Sequence, residues 1–194
     1  MRFWQFSILF SIMLLTGCST IGQTPDVISH HKKWALQHGG ILVDQRHQRL
    51  NQTCHRLAPA CHDIVIDPHV LDSNNLAAYS WPNGELYVTR GMIDAASPDE
   101  LASVVAHEIG HLIAHHNHSD ATTMLLGQKH DVNPEIQSDA LGCRILAACN
   151  ISTTAMLHTL QKVKQSTPTH DPAHALLNQR ILRLQSDMSN PFPN

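Results

Sequence analysis

Two histidines that share one predicted helical face, His107 and His111, constrain the fold of this chain most strongly. They lie four residues apart in Val-Ala-His-Glu-Ile-Gly-His, so a helix would project both imidazoles from the same side toward one metal ion. Glu108 follows the first histidine, where it could reach a water molecule bound to that metal and act as a general base. The spacing therefore favours a helix that carries the site of a zinc hydrolase.

The residues before this motif predict where its helix begins. Ser97 can cap the first turn, Pro98 suits the first helical position, and Glu100 at the third position completes a favourable start. Apolar residues then recur at helical spacing and predict a buried stripe: Leu101, Val104, Val105, Leu112 and Ile113. Histidines along such a stripe need polar partners, since burying an unpaired polar group is costly. A metal ion would satisfy both histidines, and ordinary hydrogen bonds are the alternative.

A third protein ligand is expected, because catalytic zinc usually has three of them and a water. A second amphipathic helix is predicted after Asn133 and Pro134, and Glu135 and Asp139 lie four residues apart on one of its faces. Glu135 could complete the zinc site, and Asp139 could accept a hydrogen bond from the free nitrogen of a ligand histidine. Acidic residues in a first turn also suit the helix dipole, so this pair supports a metal site only together with the first motif.

Four short motifs occur in the order in which one known family has them. They are Leu86-Tyr87-Val88-Thr89-Arg90-Gly91, Asp99-Glu100-Leu101, His107-Glu108-Ile109-Gly110-His111 and Glu135-x-x-Ser138-Asp139. In these motifs the chain resembles the M48 metallopeptidases, from about Asn75 to Leu184. That family includes bacterial periplasmic proteases and integral-membrane CAAX-processing proteases. The resemblance implies an α+β fold, a mainly helical zincin-like metalloprotease domain with a small mixed or antiparallel β-sheet beside the HExxH helix.

The resemblance also assigns the site residues. It implies that His107, His111 and Glu135 bind one zinc ion per chain. It further implies that Glu108 is the catalytic base when a zinc-activated water attacks a peptide bond. The family's second motif usually reads Glu-x-x-Ala-Asp-x-x-Gly, and this chain has Ser138 at the alanine position. One small residue thus replaces another there.

A histidine near the active site is a further feature of the family, in its C-terminal part. It usually lies six residues before an arginine, as His174 lies before Arg180 here. The resemblance implies that His174 lies near the metal. There it would either act as a catalytic residue that stabilises the oxyanion or block the metal. The proline that usually follows this histidine is missing, and His170 with nearby Pro172 is the alternative.

The N-terminus carries the pattern of a lipoprotein signal. Arg2 is followed by an apolar run over residues 3–15 that is too short for an ordinary membrane span, and Leu-Thr-Gly-Cys follows, ending at Cys18. This resembles a lipobox, which implies cleavage before Cys18, lipidation of that cysteine and a stable membrane anchor. Ser19 favours the outer membrane of a bacterial envelope, with the domain facing the periplasm. An uncleaved N-terminal anchor helix is the alternative.

The rest of the chain predicts one domain. We expect a signal peptide over residues 1–17, a lipidated tether over residues 18–27 and a single metallopeptidase domain over residues 28–194. Helix is predicted on both sides of Gly39-Gly40, between Val27 and Leu57. Short strands are predicted at Ile64–Ile66 and Leu86–Val88.

The cysteines beyond the lipobox raise the question of disulfide bonds, which a periplasmic location would permit. Cys54 lies near a predicted helix end and Cys61 just before a predicted strand, so the two could meet easily. We expect a Cys54–Cys61 bond. Cys143 and Cys149 should share one helix and point in different directions, which makes a direct bond between them awkward.

Three classes of function fit these observations. The first is a zinc endopeptidase that acts on unfolded or misassembled cell-envelope proteins and binds them as an added strand at a sheet edge. Outer-membrane assembly machinery is one candidate partner for it. The second is a zinc-dependent chaperone or adaptor with little proteolysis, and the third is a histidine-rich metal-binding lipoprotein. Glu108 argues against the third, because metal storage needs no base, and a net charge of −3 argues against nucleic acid as a partner.

Overall fold

A small mixed sheet forms one layer of the domain. The computed structural model describes residues 32–61, 64–118 and 134–189. The strands in these ranges are β1 (Ile41–Leu42), β2 (Asp67–Leu71), β3 (Ala78–Ser80) and β4 (Glu85–Thr89), in the spatial order β1-β2-β4-β3. Strands β2 and β4 are parallel, whereas β1 pairs with β2 and β3 pairs with β4 in antiparallel fashion. The strand predicted at Leu86–Val88 lies within β4, and β3 forms one edge of this sheet.

Helices make up most of the described residues. They are α1 (residues 32–37), α2 (Gln45–Leu57), α3 (Arg90–Ala95), α4 (Pro98–His118), α5 (Pro134–Ala148), α6 (Thr154–Ser166) and α7 (Pro172–Ser189), and a 3-10 turn covers Ala58–Ala60. This content confirms the predicted α+β class, mainly helical with a small mixed sheet. Across the three described ranges, each helix is too short or too polar to cross a membrane.

Helix α4, which carries the two histidines, begins with the predicted capping arrangement. The Glu100 carboxylate accepts a hydrogen bond from the Ser97 backbone N–H at 2.6 Å, and the Ser97 hydroxyl accepts one from the Glu100 N–H at 3.3 Å. Lys162 of α6 donates to the same Glu100 carboxylate at 2.7 Å. The start of α4 is therefore both capped and fastened to α6.

The sheet separates two apolar layers. Its inner face contributes Val70, Leu86 and Val88 to the main core, in one cluster with the fully buried Leu101 and Val105 of α4. The outer face is covered by a smaller cluster that includes α1 side chains: Trp34, Ala35, Leu71, Tyr79, Trp81 and Tyr87. Because side chains alternate along a strand, neighbouring residues of β2 and β4 contribute to different layers.

Two glycines allow α4 and α5 to approach closely. A β-carbon at Gly110 would lie 2.7 Å from the backbone oxygen of Ser138, and one at Gly142 would lie 3.1 Å from the backbone nitrogen of His107. A larger residue at either position would push the two helices apart. Their close contact brings Glu135 of α5 within reach of the α4 histidines.

Two predicted elements differ in the structure. Residues Ile64–Ile66 are not a strand, because β2 starts only after them, where its parallel partner β4 begins with Glu85. Helices α1 and α2 lie on both sides of Gly39-Gly40 as predicted, but strand β1 interrupts the region predicted as helical between Val27 and Leu57. Gly39 and Gly40 take left-handed backbone angles, with φ of 101° and 86°, and these angles end α1 and redirect the chain.

Helix α5 ends at a residue with left-handed backbone angles. Asn150 has a left-handed φ of 57°, and the Ile151 N–H donates to the Leu146 carbonyl at 2.9 Å, as in a helix cap. The predicted signal peptide, Cys18 and the tether lie outside the described residues. The domain boundaries therefore stay predictions.

Candidate metal centre

The three predicted zinc ligands come from two helices and meet in the structure. The Nε2 atoms of His107 and His111 on α4 lie 3.1 Å apart. One carboxylate oxygen of Glu135 on α5 lies 3.4 Å from the His107 Nε2, and the other lies 3.4 Å from the His111 Nε2. Ligand atoms bound at about 2.05 Å to a tetrahedral zinc ion are about 3.3 Å apart. These three spacings therefore match one face of a zinc coordination tetrahedron.

The chemistry of this donor set also fits zinc. Two imidazole nitrogens and one carboxylate oxygen are a known catalytic set, which leaves a fourth position for water or substrate. The three side chains are partly exposed, and with Glu108 and residues 78–80 of β3 they line a cleft of about 340 Å³. A zinc ion held by His107, His111 and Glu135 would thus face the cleft.

Asp139 orients the first of the two histidines. Its carboxylate oxygen lies 2.8 Å from the His107 Nδ1, and because a carboxylate only accepts hydrogen bonds, the Nδ1 carries a proton. The Nε2 of His107 is then the atom left for the metal. Burial alone would lower the pKa of His107, but hydrogen bonds to Asp139 and Glu135 raise it to about 9. Metal binding would displace a proton from Nε2.

Ser138 has the corresponding position beside the second histidine. Its hydroxyl oxygen lies 2.8 Å from the His111 Nδ1, and the serine is fully buried. If the hydroxyl accepts a hydrogen bond from the His111 Nδ1–H, the Nε2 of His111 is free for the metal. From the sequence, Ser138 was only a replacement for the family's alanine. Its spacing of three residues from Glu135 was the signal that could have placed its hydroxyl on the same helix face.

Arg180 of α7 binds both acidic residues of α5. Its Nη1 donates to Glu135 at 2.8 Å, and its Nε and Nη2 each donate to Asp139 at 2.7 Å. Hydrogen bonds from His107 and His111, together with the charge of Arg180, hold the pKa of Glu135 well below its usual range, although burial opposes them. Burial also tends to raise the pKa of Asp139, but Arg180 and His107 lower it. Both carboxylates are therefore charged at neutral pH.

Glu108 lies beside the ligands, with its carboxylate held by the sheet. Ser80 of β3 donates a hydrogen bond to the Glu108 Oε2 at 2.8 Å, and Glu108 itself is only 7% exposed. Sequence reasoning missed Ser80. Its approach to α4 depends on the pairing of β3 with β4, in which Ser80 lies opposite Leu86. No local sequence pattern predicts that register.

An apolar cavity of about 210 Å³ adjoins the cleft. His107, Glu108 and Glu135 border both spaces. The apolar side chains that line the cavity include Leu76, Met92, Met156, Leu160, Val163 and Leu177. A side chain that entered from the cleft would therefore meet a mainly apolar surface.

The two C-terminal histidines are not brought to this site. His174 lies half-buried in the first turn of α7, and His170 is exposed just before that helix. Neither His170 nor His174 is among the described residues that line the cleft and the cavity. The catalytic role of His174 stays a prediction. In the sequence, Arg180 served only to locate this histidine. In the structure it extends from α7 to the predicted metal ligands and donates a hydrogen bond to Glu135.

The disulfide expected between Cys54 and Cys61 is not formed in the structure, where both are free thiols, as are Cys143 and Cys149. Cys54 lies in the last turn of α2, Cys61 follows the 3-10 turn, and both pack in the main core. Burial raises the pKa of Cys54 to about 12 and that of Cys61 to about 11. Both thiols are therefore protonated at neutral pH and are weak nucleophiles.

The fold and the site together define a metallopeptidase: an HExxH helix, an acidic ligand from the next helix, and a buried glutamate beside an open cleft. The sequence model of peptidase family M48 matches residues 44–132, which include His107, Glu108 and His111 and end before Glu135. This match supports the resemblance to peptidase family M48 that the motifs predicted. No curated protein matches the chain.

Proposed function

We propose that this protein is a zinc-dependent endopeptidase that hydrolyses peptide bonds in unfolded or misassembled proteins of the bacterial cell envelope. One observation carries the proposal: Ser80 holds the buried Glu108 carboxylate beside the three converging ligand atoms. Metal storage needs the ligands but no such carboxylate, whereas hydrolysis needs both.

The residues of the chain have separate tasks in this reaction. A bound zinc ion would supply Lewis-acid chemistry by polarising the substrate carbonyl and by lowering the pKa of water. Glu108 accepts a proton from the attacking water and donates it to the leaving amine nitrogen. The hydrogen bond from Ser80 occupies Oε2 of Glu108, which orients Oε1 for the proton transfer. Asp139 and Ser138 hold the ligand imidazoles so that each presents its Nε2.

An extended polypeptide is the substrate that this cleft favours. Strand β3 forms a sheet edge, and its residues 78–80 line the cleft. A peptide can add to such an edge through main-chain hydrogen bonds that do not depend on its sequence. The adjoining cavity suits an apolar side chain next to the scissile bond. Extended apolar segments are exposed in unfolded proteins and buried in folded ones, which supports a role in removing misfolded chains.

The N-terminal sequence supports a location at the outer membrane. Lipidation of Cys18 would anchor the domain through its tether on the periplasmic side. Misfolded envelope proteins would be accessible there, and outer-membrane assembly machinery is a candidate partner. Cells grown with labelled palmitate should incorporate label into the wild-type protein but not into Cys18→Ala. Equal labelling of the two would contradict lipidation at this cysteine.

Cleavage of reduced casein by the mature protein, loaded with one equivalent of zinc, tests the proposed activity. We expect Glu108→Gln to keep its zinc and its circular dichroism spectrum but to lose at least about 100-fold in rate, the scale of general-base catalysis. Equal rates for wild type and Glu108→Gln would contradict the role of Glu108. A wild-type protein that keeps zinc and suppresses casein aggregation without cleaving it would instead support a zinc-dependent chaperone or adaptor.

A further inference from the structure

A second group of metal-binding side chains lies on β2 and β4. Asp67, His69 and Glu85 each offer one ligand atom, and these three atoms all lie within 4.8 Å of one another. The His69 Nε2 and an Asp67 carboxylate oxygen are 3.2 Å apart. The described residues that line the catalytic cleft do not include any of the three, so this group is separate from the first site.

The register of the two parallel strands produces this group. Asp67 pairs with Glu85, and His69 pairs with Tyr87. Because side chains alternate along a strand, all four project from the same face of the sheet. This is the outer face, since Tyr87 packs in the cluster that α1 covers, whereas Leu86 packs in the main core. The group therefore lies on the side of the sheet that faces away from α4.

Tyr87 gives the group a defined arrangement. Its hydroxyl donates to a Glu85 carboxylate oxygen at 3.1 Å, and its ring stacks on His69 with the centroids 4.9 Å apart. Partners that orient a carboxylate or an imidazole in this way are typical of metal ligands.

We propose that Asp67, His69 and Glu85 bind a second divalent transition-metal ion, for which zinc is the best match. Zinc accepts one imidazole nitrogen with two carboxylate oxygens, whereas calcium and magnesium prefer oxygen ligands alone. Two carboxylates and a neutral imidazole carry two negative charges, which a divalent ion neutralises. The Asp67 side chain is 67% exposed and the His69 side chain 21% exposed. Water can therefore complete the coordination, and the affinity should be lower than at the first site.

The role of this second ion would be structural. It would link the first residue of β2 to the first residue of β4, on the face opposite to the HExxH helix. Strand β4 also pairs with β3, where Ser80 holds Glu108. The ion would thus stiffen the sheet that forms one side of the cleft without touching the reacting atoms.

Zinc titration of the full mature chain, already loaded with one equivalent at the first site, tests this proposal. We expect a second, weaker equivalent in the wild type. In His69→Ala and in the isosteric Asp67→Asn, this second affinity should fall at least about tenfold. The matched control is His55→Ala, because His55 is exposed on α2 and a chain with 16 histidines could bind zinc unspecifically. This control should keep the second equivalent.

Thermal unfolding and proteolysis provide independent readouts. Zinc beyond the first equivalent, at about 100 times its dissociation constant, should raise the Tm of the wild type by about 5 °C and leave that of His69→Ala unchanged. Casein cleavage at one equivalent of zinc should be the same for both proteins, so failure here is distinguishable from failure of the proposed peptidase activity. Equal second affinities in wild type and His69→Ala would overturn the site. Tighter binding of Ca²⁺ than of Zn²⁺ would overturn the choice of metal.

Discussion

Arg180 forms a bidentate salt bridge with Asp139, in which its Nε and Nη2 each lie 2.7 Å from a separate carboxylate oxygen. The pair is buried, with 10% of the Arg180 side chain and 3% of the Asp139 side chain exposed. It connects α7 to α5, and Asp139 in turn orients His107 on α4. Three helices thus cooperate to set the direction of one metal ligand.

Replacing Arg180 by lysine is expected to weaken zinc binding by about 10- to 100-fold. An ammonium group keeps the charge but cannot donate in parallel to both oxygens of Asp139 while it also reaches Glu135. Loss of partners that support metal ligands usually costs this much affinity. Competition with a fluorescent zinc chelator measures the dissociation constant. Arg183→Lys, at an exposed position of the same helix, is the matched control, and an unchanged affinity in Arg180→Lys would contradict the role of Arg180.

Ser138→Ala should weaken zinc binding by about tenfold while α4 and α5 keep their contact. The family that the chain resembles usually has alanine at this position, so alanine should fit the helix. It removes, however, the hydroxyl that lies 2.8 Å from the His111 Nδ1. The imidazole is then less well oriented for the metal. The same zinc competition measures the effect, and Ser166→Ala at an exposed position should have none. Wild-type affinity in Ser138→Ala would show that the hydroxyl is not needed.

The ligand set could be predicted from sequence because helical periodicity is a local property. It places the two histidines on one face of α4 and the two acidic residues on one face of α5. Ser80 and Arg180 could not be assigned roles in the same way. They lie 28 and 45 residues from Glu108 and Glu135, the residues that they contact, and their approach depends on tertiary packing.

The distinction between features set by neighbouring residues and features set by tertiary packing also applies to the fold. The capped start of α4 at Ser97 depends only on neighbouring residues, and the prediction was right. Residues Ile64–Ile66 are three consecutive β-branched apolar residues, a composition typical of a strand, but Val65 is 83% exposed and the strand starts later. Where β2 begins depends on its pairing with β4, which is not a local property. The short strand Ile41–Leu42 likewise exists because it pairs with Leu71 and its neighbour in β2.

Gly110→Ala is expected to destabilise the protein, even though alanine favours a helix. In a helix interior alanine is better than glycine by about 1 kcal/mol. Here, however, the added β-carbon would lie 2.7 Å from the Ser138 carbonyl oxygen, a backbone atom that moves only if α5 moves. Such overpacking costs about 1–3 kcal/mol, so we expect a net loss of stability. Zinc affinity should fall as well, because Glu135 shifts together with α5.

Urea unfolding and zinc titration measure these two effects of Gly110→Ala. Ala114→Gly is the control, because Ala114 is a partly exposed residue of the same helix. It should lose about 1 kcal/mol of stability through helix propensity alone and keep its zinc affinity. A Gly110→Ala protein that is more stable than wild type, with unchanged zinc affinity, would contradict the close contact between α4 and α5.

The stability that Glu100 contributes should depend on pH. Burial tends to raise the pKa of this carboxyl, but hydrogen bonds from Lys162 and Ser97 lower it below its ordinary value of 4.5. A carboxyl with a lower pKa in the folded than in the unfolded state stabilises the protein above the unfolded pKa. That contribution is lost as the pH falls through the folded pKa. Glu100→Gln should therefore be less stable than wild type near neutral pH, by about 0.5–1 kcal/mol, and the difference should shrink below pH 4.5.

Glutamine is an informative replacement for Glu100 because it keeps an acceptor for the Ser97 N–H and removes only the charge. Urea unfolding at about pH 7, 5 and 3 gives the free energies of unfolding. Asp99→Asn, in the same helical turn, is the control. Asp99 and its partner Arg56 are both exposed, so this change should have a smaller effect. A difference between Glu100→Gln and wild type that stays constant over this pH range would contradict the assignment.

Ser80→Ala is expected to lower kcat for casein cleavage by about 10- to 100-fold and to leave the zinc content unchanged. The Ser80 hydroxyl donates to the buried Glu108 carboxylate, and a hydrogen bond to a charged group contributes about 1.5–3 kcal/mol. Without it, the carboxylate can rotate away from the water that it must deprotonate. The main-chain pairing of β3 is kept, so KM should change little. Ser80→Thr retains a hydroxyl and should recover most of the rate, and a wild-type rate in Ser80→Ala would mean that other contacts position Glu108.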